Sequence, residues 1–170
     1  MGHSSTQFKP LTIAVLTVSD TRTEENDTSG KYLSDELVKA GHKLHERQIV
    51  IDDLYQIRAV VSQWIADANV NVIISTGGTG FSDRDNTPEA IEPLLDKQVE
   101  GFGELFRSVS YQEIGSSTIQ SRAVGGLANH TAIFCLPGST GACRTGWSQL
   151  LIDQLNSCHK PCNFVMHLGV

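Results

Sequence analysis

The residues most able to do chemistry form the glycine loop, Thr76-Gly77-Gly78-Thr79-Gly80, which directly follows an apolar segment. Glycine tolerates positive φ and has no side chain, so backbone amides there can approach a bound group closely. Consecutive amides that point inward form a concavity that binds anions. A plain tight turn is the alternative interpretation. Because the loop lies between a strand pattern and a helix pattern, a phosphate-binding site is favoured.

Spacing excludes two better known phosphate-binding loops. Gly30-Lys31 has Glu25 where a Walker loop needs its first glycine, and Tyr32 where it needs serine or threonine. A dinucleotide-binding fingerprint that starts at Gly78 has Asp83 in place of its third glycine. The glycine loop therefore belongs to neither class.

Carboxylates close to a phosphate site suggest a bound cation. Mg²⁺ takes one or two carboxylates together with phosphate oxygens, so Asp85 or Asp83 is a candidate ligand. Asp52 and Asp53 end the second strand pattern and offer another carboxylate. Alternatively they cap the following helix, and from the residues alone that role is favoured.

Two arginines are candidate phosphate clamps. Arg107 lies in a short helix pattern and Arg122 precedes a strand pattern, and either can bind phosphate bidentately. Either can equally form an ion pair on the surface or between subunits, and the sequence leaves both interpretations open. No Ser-His-Asp or Cys-His spacing indicates nucleophilic catalysis.

The four cysteines suggest thiols rather than a metal site. Cys135 and Cys143 lie in apolar patterns, which predicts burial. Cys158 and Cys162, with His159 between them, lack the CxxC spacing and the second pair of a structural zinc site. Reduced thiols, as in a cytoplasmic protein, are the preferred interpretation.

Charge and hydropathy exclude several classes of function. The 170 residues carry a net charge of −6, so we expect no nucleic-acid partner. No segment approaches the roughly 20 apolar residues of a membrane helix, so we expect no membrane association. Residues 1–10 are polar, which predicts a flexible arm without a signal peptide, ahead of a single domain at residues 11–170.

Strand and helix patterns alternate along the chain. Apolar runs predict strands at residues 11–18, 43–51 and 70–75, and periodicity predicts helices at 29–40, ending at Gly41, and from Asp53 to residue 68. Thr87 and Pro88 are expected to be the N-cap and first residue of the next helix, which Pro93 should shorten.

The second half of the chain continues the alternation. A helix is expected at 102–109, then strands at 122–127 and 131–136 joined by a turn, then a helix after residue 139. The last helix should turn these residues inward: Ala142, Cys143, Trp147, Leu150, Leu151 and Leu155. This order predicts an α/β sandwich with a mainly parallel sheet. Ligands bind beyond the carboxyl ends of such strands, where residues 19–20, 76–86 and 137–139 fall.

Several motifs in order resemble the molybdopterin-binding family, which includes the molybdopterin adenylyltransferases and the gephyrin-type domains. The glycine loop, Asp83-Arg84-Asp85 and Thr87-Pro88-Glu89-Ala90 carry the resemblance. It is extended by Ser19-Asp20, Asp27-Thr28-Ser29-Gly30, Gly101-Phe102-Gly103-Glu104, Ser121-Arg122-Ala123 and Leu136-Pro137-Gly138.

The resemblance implies a three-layer α/β/α fold, association into trimers or hexamers, and adenylylation of molybdopterin by Mg-ATP with release of pyrophosphate. It implies that Asp85 holds Mg²⁺ with help from Asp52. The residues implied to bind pterin or nucleotide are Ser19, Asp20, Thr76, Gly77, Gly78, Thr79, Gly80, Ser82, Arg122, Pro137, Gly138 and Ser139. A non-catalytic molybdopterin carrier and an oligomeric scaffold are the alternatives.

Overall fold

Strands and helices alternate along residues 5–170, the part of the chain that the computed structural model describes. The strands are β1 (Thr12–Val18), β2 (Lys43–Val50), β3 (Val72–Thr76), β4 (Lys97–Gln98), β5 (Val124–Ala128) and β6 (Thr131–Leu136). The α-helices are α1 (Thr28–Lys39), α2 (Leu54–Ala66), α3 (Thr87–Ile91), α4 (Glu100–Ile114), α5 (Thr140–Gly146) and α6 (Ile152–Gln154). Short 3-10 turns follow α3 and α4 and lie near the C-terminus, at Glu92–Leu94, Gly115–Gln120 and Val165–His167.

The six strands form one mixed sheet in the order β2-β1-β3-β6-β5-β4. Strands β2, β1, β3 and β6 are parallel, whereas at one side of the sheet β5 pairs antiparallel with β6, and β4 pairs antiparallel with β5. After β1 the chain forms β2 on one side of β1, and it then returns to form β3 on the other side of β1. This change of direction beside β1 is the place where an open parallel sheet binds ligands.

Helices cover both faces of the sheet, because alternate residues of each central strand point to opposite sides. On β1, Ile13 and Val15 pack with residues of α1, α4 and α5, whereas Ala14 and Leu16 pack with residues of α2 and α3. Both faces are apolar and buried, as the uninterrupted apolar strands predict. The predicted three-layer α/β sandwich is confirmed.

Most predicted helix ends agree with the structure. Gly41 ends α1 with φ +91°, and its amide donates to the Val38 carbonyl at 3.0 Å. Pro93 shortens α3, which continues only as a 3-10 turn. The predicted N-cap at Thr87 is wrong. Asn86 occupies the cap position, because the Thr87 hydroxyl is used in a tertiary contact, donating to the Gly77 carbonyl at 2.8 Å.

The last predicted helix is divided by a π-helical turn, Trp147–Leu151, between α5 and α6. Cys143, Trp147, Leu150, Leu151 and Leu155 are buried as predicted, and Ala142 packs beside them half-buried. The helix therefore covers one face of the sheet despite the change in its hydrogen bonding.

Both ends of the described chain lie together. The Ser5 amide donates to the Ser157 carbonyl at 2.7 Å, and the Lys9 ammonium donates to the Val170 carbonyl at 2.9 Å. Residues 1–4 of the predicted N-terminal arm lie outside the described residues. Among residues 5–170 no helix has the length and apolar character needed to cross a membrane.

Candidate functional site

A cavity of about 320 Å³ opens at the carboxyl ends of β1, β3 and β6. Its walls are the loops that follow these three strands, together with the start of α1. The lining residues are Thr17, Val18, Ser19, Arg22, Asp27, Ser29, Thr76, Gly77, Gly78, Thr79, Gly80, Asp85, Gln120, Pro137 and Gly138. The three polar loops predicted from the sequence therefore meet at one place.

The glycine loop needs glycine at its first two glycine positions. Gly77 and Gly78 have φ +98° and +65°, a conformation that residues with a side chain rarely adopt. A Cβ on Gly77 would lie 2.1 Å from the Val18 carbonyl oxygen. A Cβ on Gly78 would lie 2.3 Å from Thr87 Oγ1. Backbone therefore forms the cavity wall here.

Two threonines fix the position of the loop: Thr76, at its start, and Thr87, at the start of α3. Thr76 Oγ1 donates to the Pro137 carbonyl at 2.9 Å, and its neighbour Cys143 Sγ lies 3.1 Å away. Thr87 donates from its amide to the Gly78 carbonyl at 2.9 Å, in addition to its hydroxyl contact with Gly77. Burial raises the pKa of the Cys143 thiol to about 11, so it is a protonated packing group rather than a nucleophile.

Asp85 presents a charged carboxylate to the cavity. Its Oδ2 accepts from the Ser82 amide at 2.8 Å and from the Ser82 hydroxyl at 2.6 Å. Partial burial acts to raise the pKa of this carboxyl, but the hydrogen bonds from Ser82 and the Gly80 amide and the nearby charge of Arg122 outweigh it. The net pKa is lowered, and Asp85 is ionised at neutral pH.

Asp52 lies behind the glycine loop and only 5% of it is exposed. Its Oδ1 accepts from the Asn86 amide at 2.9 Å and from the Asn86 side chain at 3.1 Å. Burial raises the pKa of this carboxyl; Asn86 lowers it, and the charges of Asp85 and Asp20 raise it further. Asp53, not Asp52, caps α2, with its Oδ1 accepting from the amides of Tyr55 and Gln56.

An ion pair joins the loop after β1 to the segment after the glycine loop. Asp20 accepts bidentately from Arg84, at 2.9 Å from Nε and 2.7 Å from Nη2. Asp20 also accepts from the Asp52 amide at 2.9 Å. Hydrogen bonds from Arg84 and from the Asp52 amide lower the pKa of Asp20 to about 2.

Arg122 contacts the rear of the glycine loop. Its Nε donates to the Gly80 carbonyl at 2.9 Å, its Nη2 donates to the Asp85 carbonyl at 2.9 Å, and its Nη1 pairs with Glu89. Because β5 is antiparallel to β6, the residues just before β5, including Arg122, lie at the same edge of the sheet as the carboxyl ends of the parallel strands. This topology places Arg122 at the site.

Five polar residues of the lining were not predicted as site residues, namely Thr17, Arg22, Asp27, Ser29 and Gln120. Asp27 is buried at the start of α1, where its Oδ1 accepts from the Gly30 amide at 2.9 Å and its Oδ2 accepts from Thr17 Oγ1 at 2.7 Å. An aspartate just before a helix is an N-cap signal that was available in the sequence. Gln120 ends a 3-10 turn, and no sequence signal marks it.

The predicted site residues divide into two groups. Those that line the cavity are Ser19, Thr76, Gly77, Gly78, Thr79, Gly80, Asp85, Pro137 and Gly138. The others support it from outside: Asp20, Asp52, Ser82 and Arg122 contact neighbouring loops, and Ser139 caps α5 by accepting from the Ala142 amide at 3.1 Å. Asp83 and Arg107 lie outside the lining as well.

No cluster of three histidine, cysteine, aspartate or glutamate side chains arranged for a metal occurs among residues 5–170. Cys135 and Cys143 are buried as predicted, and Cys158 and Cys162 are free thiols. Asp85 fits a hard cation at the cavity, because it is ionised and lines the wall. Such an ion would need phosphate oxygens and water to complete its shell, as Mg²⁺ commonly does.

Comparison with known proteins agrees with this geometry. The family described as a probable molybdopterin binding domain matches residues 14–157. Molybdenum cofactor biosynthesis protein B of Escherichia coli K12 is 54% identical over 168 residues, which are 99% of either chain. The protein of the same name from Bacillus cereus is 44% identical over 154 residues, covering 90% of this chain and 91% of the relative.

Solved structures give the same result. A crystal structure of molybdenum cofactor biosynthesis protein B superposes with a TM-score of 0.84 at 45% identity. The match covers 86% of this chain and 92% of the other. The resemblance drawn from the motifs is confirmed.

Proposed function

Since the chain belongs to the family of molybdopterin-binding domains and has a role in molybdenum cofactor biosynthesis, we propose that its cavity binds molybdopterin and Mg-ATP and adenylylates the pterin. In this reaction an oxygen of the terminal phosphate of molybdopterin attacks the α-phosphorus of ATP. The bond between that phosphorus and the oxygen bridging to the β-phosphate breaks, and pyrophosphate leaves.

One observation carries the proposal: the backbone of the glycine loop and the ionised carboxylate of Asp85 face the same cavity. The loop amides and the loop's polar neighbours bind an anionic ligand without the help of a basic patch. Ser19, Pro137 and Gly138, in the loops beside the glycine loop, provide the surface for the rest of the ligand. Catalysis of this kind depends on positioning and charge neutralisation, without a covalent intermediate on the protein.

Asp85 would hold Mg²⁺, which supplies neutralisation of phosphate charge when bound. Asp52 would assist indirectly, since its buried carboxylate holds the Asn86 amide and contacts the rear of Gly78. Ser82 would keep the Asp85 carboxylate oriented through its two hydrogen bonds.

A second candidate function is a non-catalytic carrier of molybdopterin. It is favoured by the position of Asp52, which is buried behind the glycine loop and does not line the cavity. A carrier would use the glycine loop and the neighbouring residues Ser19, Pro137 and Gly138, and would need no Mg²⁺.

The decisive experiment incubates the purified protein with molybdopterin, ATP and Mg²⁺ and measures pyrophosphate and adenylylated pterin. Formation of both, dependent on Mg²⁺, is the expected result. Binding of molybdopterin by calorimetry without either product would establish the carrier function instead. Absence of binding would contradict both.

Self-association into trimers or hexamers is also part of the proposal. The helix α4 and the turn after it expose apolar side chains, with Leu105 53% exposed, Ile114 52% and Ile119 74%. Sedimentation equilibrium at micromolar concentration should give an oligomer. A Leu105→Glu variant should shift that equilibrium toward monomer, and a monomeric wild-type protein would contradict the proposal.

We further propose a cytoplasmic location, in keeping with four free thiols.

A further inference from the structure

The guanidinium of Arg122 is held on all three of its nitrogens by the protein itself. Nε donates to the carbonyls of Thr79, at 3.3 Å, and Gly80, at 2.9 Å. Nη2 donates to the Asp85 carbonyl at 2.9 Å, and Nη1 pairs with Glu89. Only 23% of the Arg122 side chain is exposed, and the residue is absent from the cavity lining.

These contacts determine which way the loop peptides face. In a trans peptide the carbonyl of one residue and the amide of the next point in opposite directions. Carbonyls of Thr79 and Gly80 that point to Arg122 therefore turn the amides of Gly80 and Phe81 away from it. The Gly80 amide indeed lies beside the carboxylate of Asp85, on the cavity side.

From this arrangement we propose that Arg122 is a positioning residue. It holds the second half of the glycine loop from behind, so that the loop amides face the cavity, and it contacts no ligand. The proposal deepens the proposed function, on which it rests for the identity of the ligand. It assigns the arginine a role that differs from phosphate clamping, one of the two interpretations that the sequence leaves open.

Two neighbours keep the guanidinium in this position. Glu89, on α3, fixes Nη1. The ring of Phe81 lies over the guanidinium at 5.0 Å from its centre and is itself 70% exposed. A cation held in this way between an aromatic ring, a carboxylate and three carbonyls has little freedom to turn toward a ligand.

Arg107 provides a matched control. It lies on α4, and its guanidinium donates to the Ser121 carbonyl at 3.3 Å, with no contact to the glycine loop among its hydrogen bonds. Replacing Arg107 by glutamine removes the same charge from a nearby position and leaves the loop contacts in place.

The test measures amide hydrogen exchange by NMR in the wild type, Arg122→Gln, Arg122→Lys and Arg107→Gln, and molybdopterin affinity by calorimetry. In Arg122→Gln the Gly80 and Ser82 amides, which donate to the Asp85 carboxylate in the wild type, should exchange at least about tenfold faster while β1 amides are unchanged. Molybdopterin affinity should fall by a similar factor. Arg122→Lys should restore the two properties only in part, because an ammonium cannot hold three carbonyls in a fork. Arg107→Gln should behave as wild type.

Unchanged loop exchange in a folded Arg122→Gln protein would overturn the proposal. Weaker molybdopterin binding with unchanged loop exchange would also overturn it, since it would identify Arg122 as a direct ligand contact. If Arg122→Gln fails to fold, Arg122→Lys decides, and wild-type exchange in that variant counts against the proposal. If the wild type binds no molybdopterin, the proposed function fails, but the exchange measurements still decide the role of Arg122.

Discussion

The end of β2 and the loop after β3 each place an aspartate beside the glycine loop, and the two carboxylates meet opposite environments. Asp52 is buried and its pKa is raised, chiefly by burial. Asp85 lines the cavity. Partial burial acts to raise its pKa, but hydrogen bonds from Ser82 and Gly80 and the charge of Arg122 lower it by more, so the net pKa is lowered. The same residue type is thus a support of the loop in one region and an available anion in the other.

The difference follows from burial, which is deeper at Asp52, and from the position of the hydrogen-bond donors around each carboxylate. Asp85 accepts two hydrogen bonds from Ser82 on Oδ2, while it still faces the cavity. Asp52 accepts from Asn86 and lies against the rear of Gly78, with Asp20 and Asp85 adding negative charge nearby. A carboxylate is available for function where donors stabilise its charge without enclosing it.

The largest effect is expected where both regions meet, at Gly78. A Gly78→Val side chain would need φ +65° and would place Cβ 2.5 Å from Asp52 Oδ2 and 2.3 Å from Thr87 Oγ1. We expect a loss of about 2–4 kcal/mol in the free energy of unfolding and no measurable binding of molybdopterin or ATP by calorimetry. Gly101→Ala, with nothing within 4 Å of the added Cβ, should change stability by less than about 1 kcal/mol. Wild-type affinity in folded Gly78→Val would mean that the loop is only a turn.

The next effect concerns Asp85 alone. Asp85→Asn keeps the size and removes the charge, so Mg²⁺-dependent turnover should fall at least about a hundredfold, which is about 3 kcal/mol of transition-state stabilisation. Molybdopterin affinity should stay near wild type. Asp83→Asn, a carboxylate two residues earlier that does not line the cavity, should leave turnover unchanged. Wild-type turnover in Asp85→Asn would refute the metal-ligand assignment.

The fold could be predicted from sequence wherever burial leaves a pattern. The residues of β1 and β3 are apolar because both faces are covered, and the spacing on α2 follows its buried side, Ile57, Val61 and Trp64. The strand β4 could not be predicted, since two exposed residues, Lys97 and Gln98, carry no periodicity. Its pairing with β5 is determined by the chain around it.

The role of a site residue could be predicted where it requires a particular residue type. It could not be predicted where it consists of contacts to backbone atoms. Gly77 and Gly78 are required by positive φ and close contacts, so the glycines themselves are the signal. The contacts of Arg122 are to carbonyls, which every residue has, and no sequence pattern reports them. The cap at Thr87 was predicted wrongly for the same reason: its hydroxyl donates to a distant carbonyl.

The contrast between the two carboxylates also predicts a pH dependence of stability. A raised pKa means that the folded protein disfavours the charged form of Asp52. This lowers the free energy of unfolding: the loss is absent at low pH, where the carboxyl is protonated, and is complete above the raised pKa. Asp52→Asn should therefore raise the melting temperature at pH 7, and raise it less at pH 4. Asp85→Asn should lower the melting temperature at pH 7, because a carboxyl with a lowered pKa stabilises the fold at pH values above its ordinary pKa. The difference in melting temperature from the wild type should shrink as the pH falls.

Calorimetric scans of both variants and the wild type between pH 4 and pH 8 provide the measurement. Shifts of the same sign in the two variants, or shifts independent of pH, would contradict the opposite environments. Asp83→Asn again serves as the control and should give neither shift.

The smallest effect is expected at Arg84, which acts on Asp52 through Asp20 and by a weaker direct attraction between the two charges. Arg84→Gln removes the bidentate partner of Asp20, whose pKa should rise from about 2 toward its ordinary value. Because this pair is exposed, the melting temperature should stay within about 1 °C of wild type. With its counter-charge gone, Asp20 should raise the pKa of Asp52 further, while that of Asp85 should move less, because Asp85 is held by Ser82 and Arg122. Carboxyl-carbon NMR titrations of the three aspartates measure these shifts directly. Equal shifts at Asp52 and Asp85 would show that the two regions share one electrostatic environment, and the comparison between them would no longer hold.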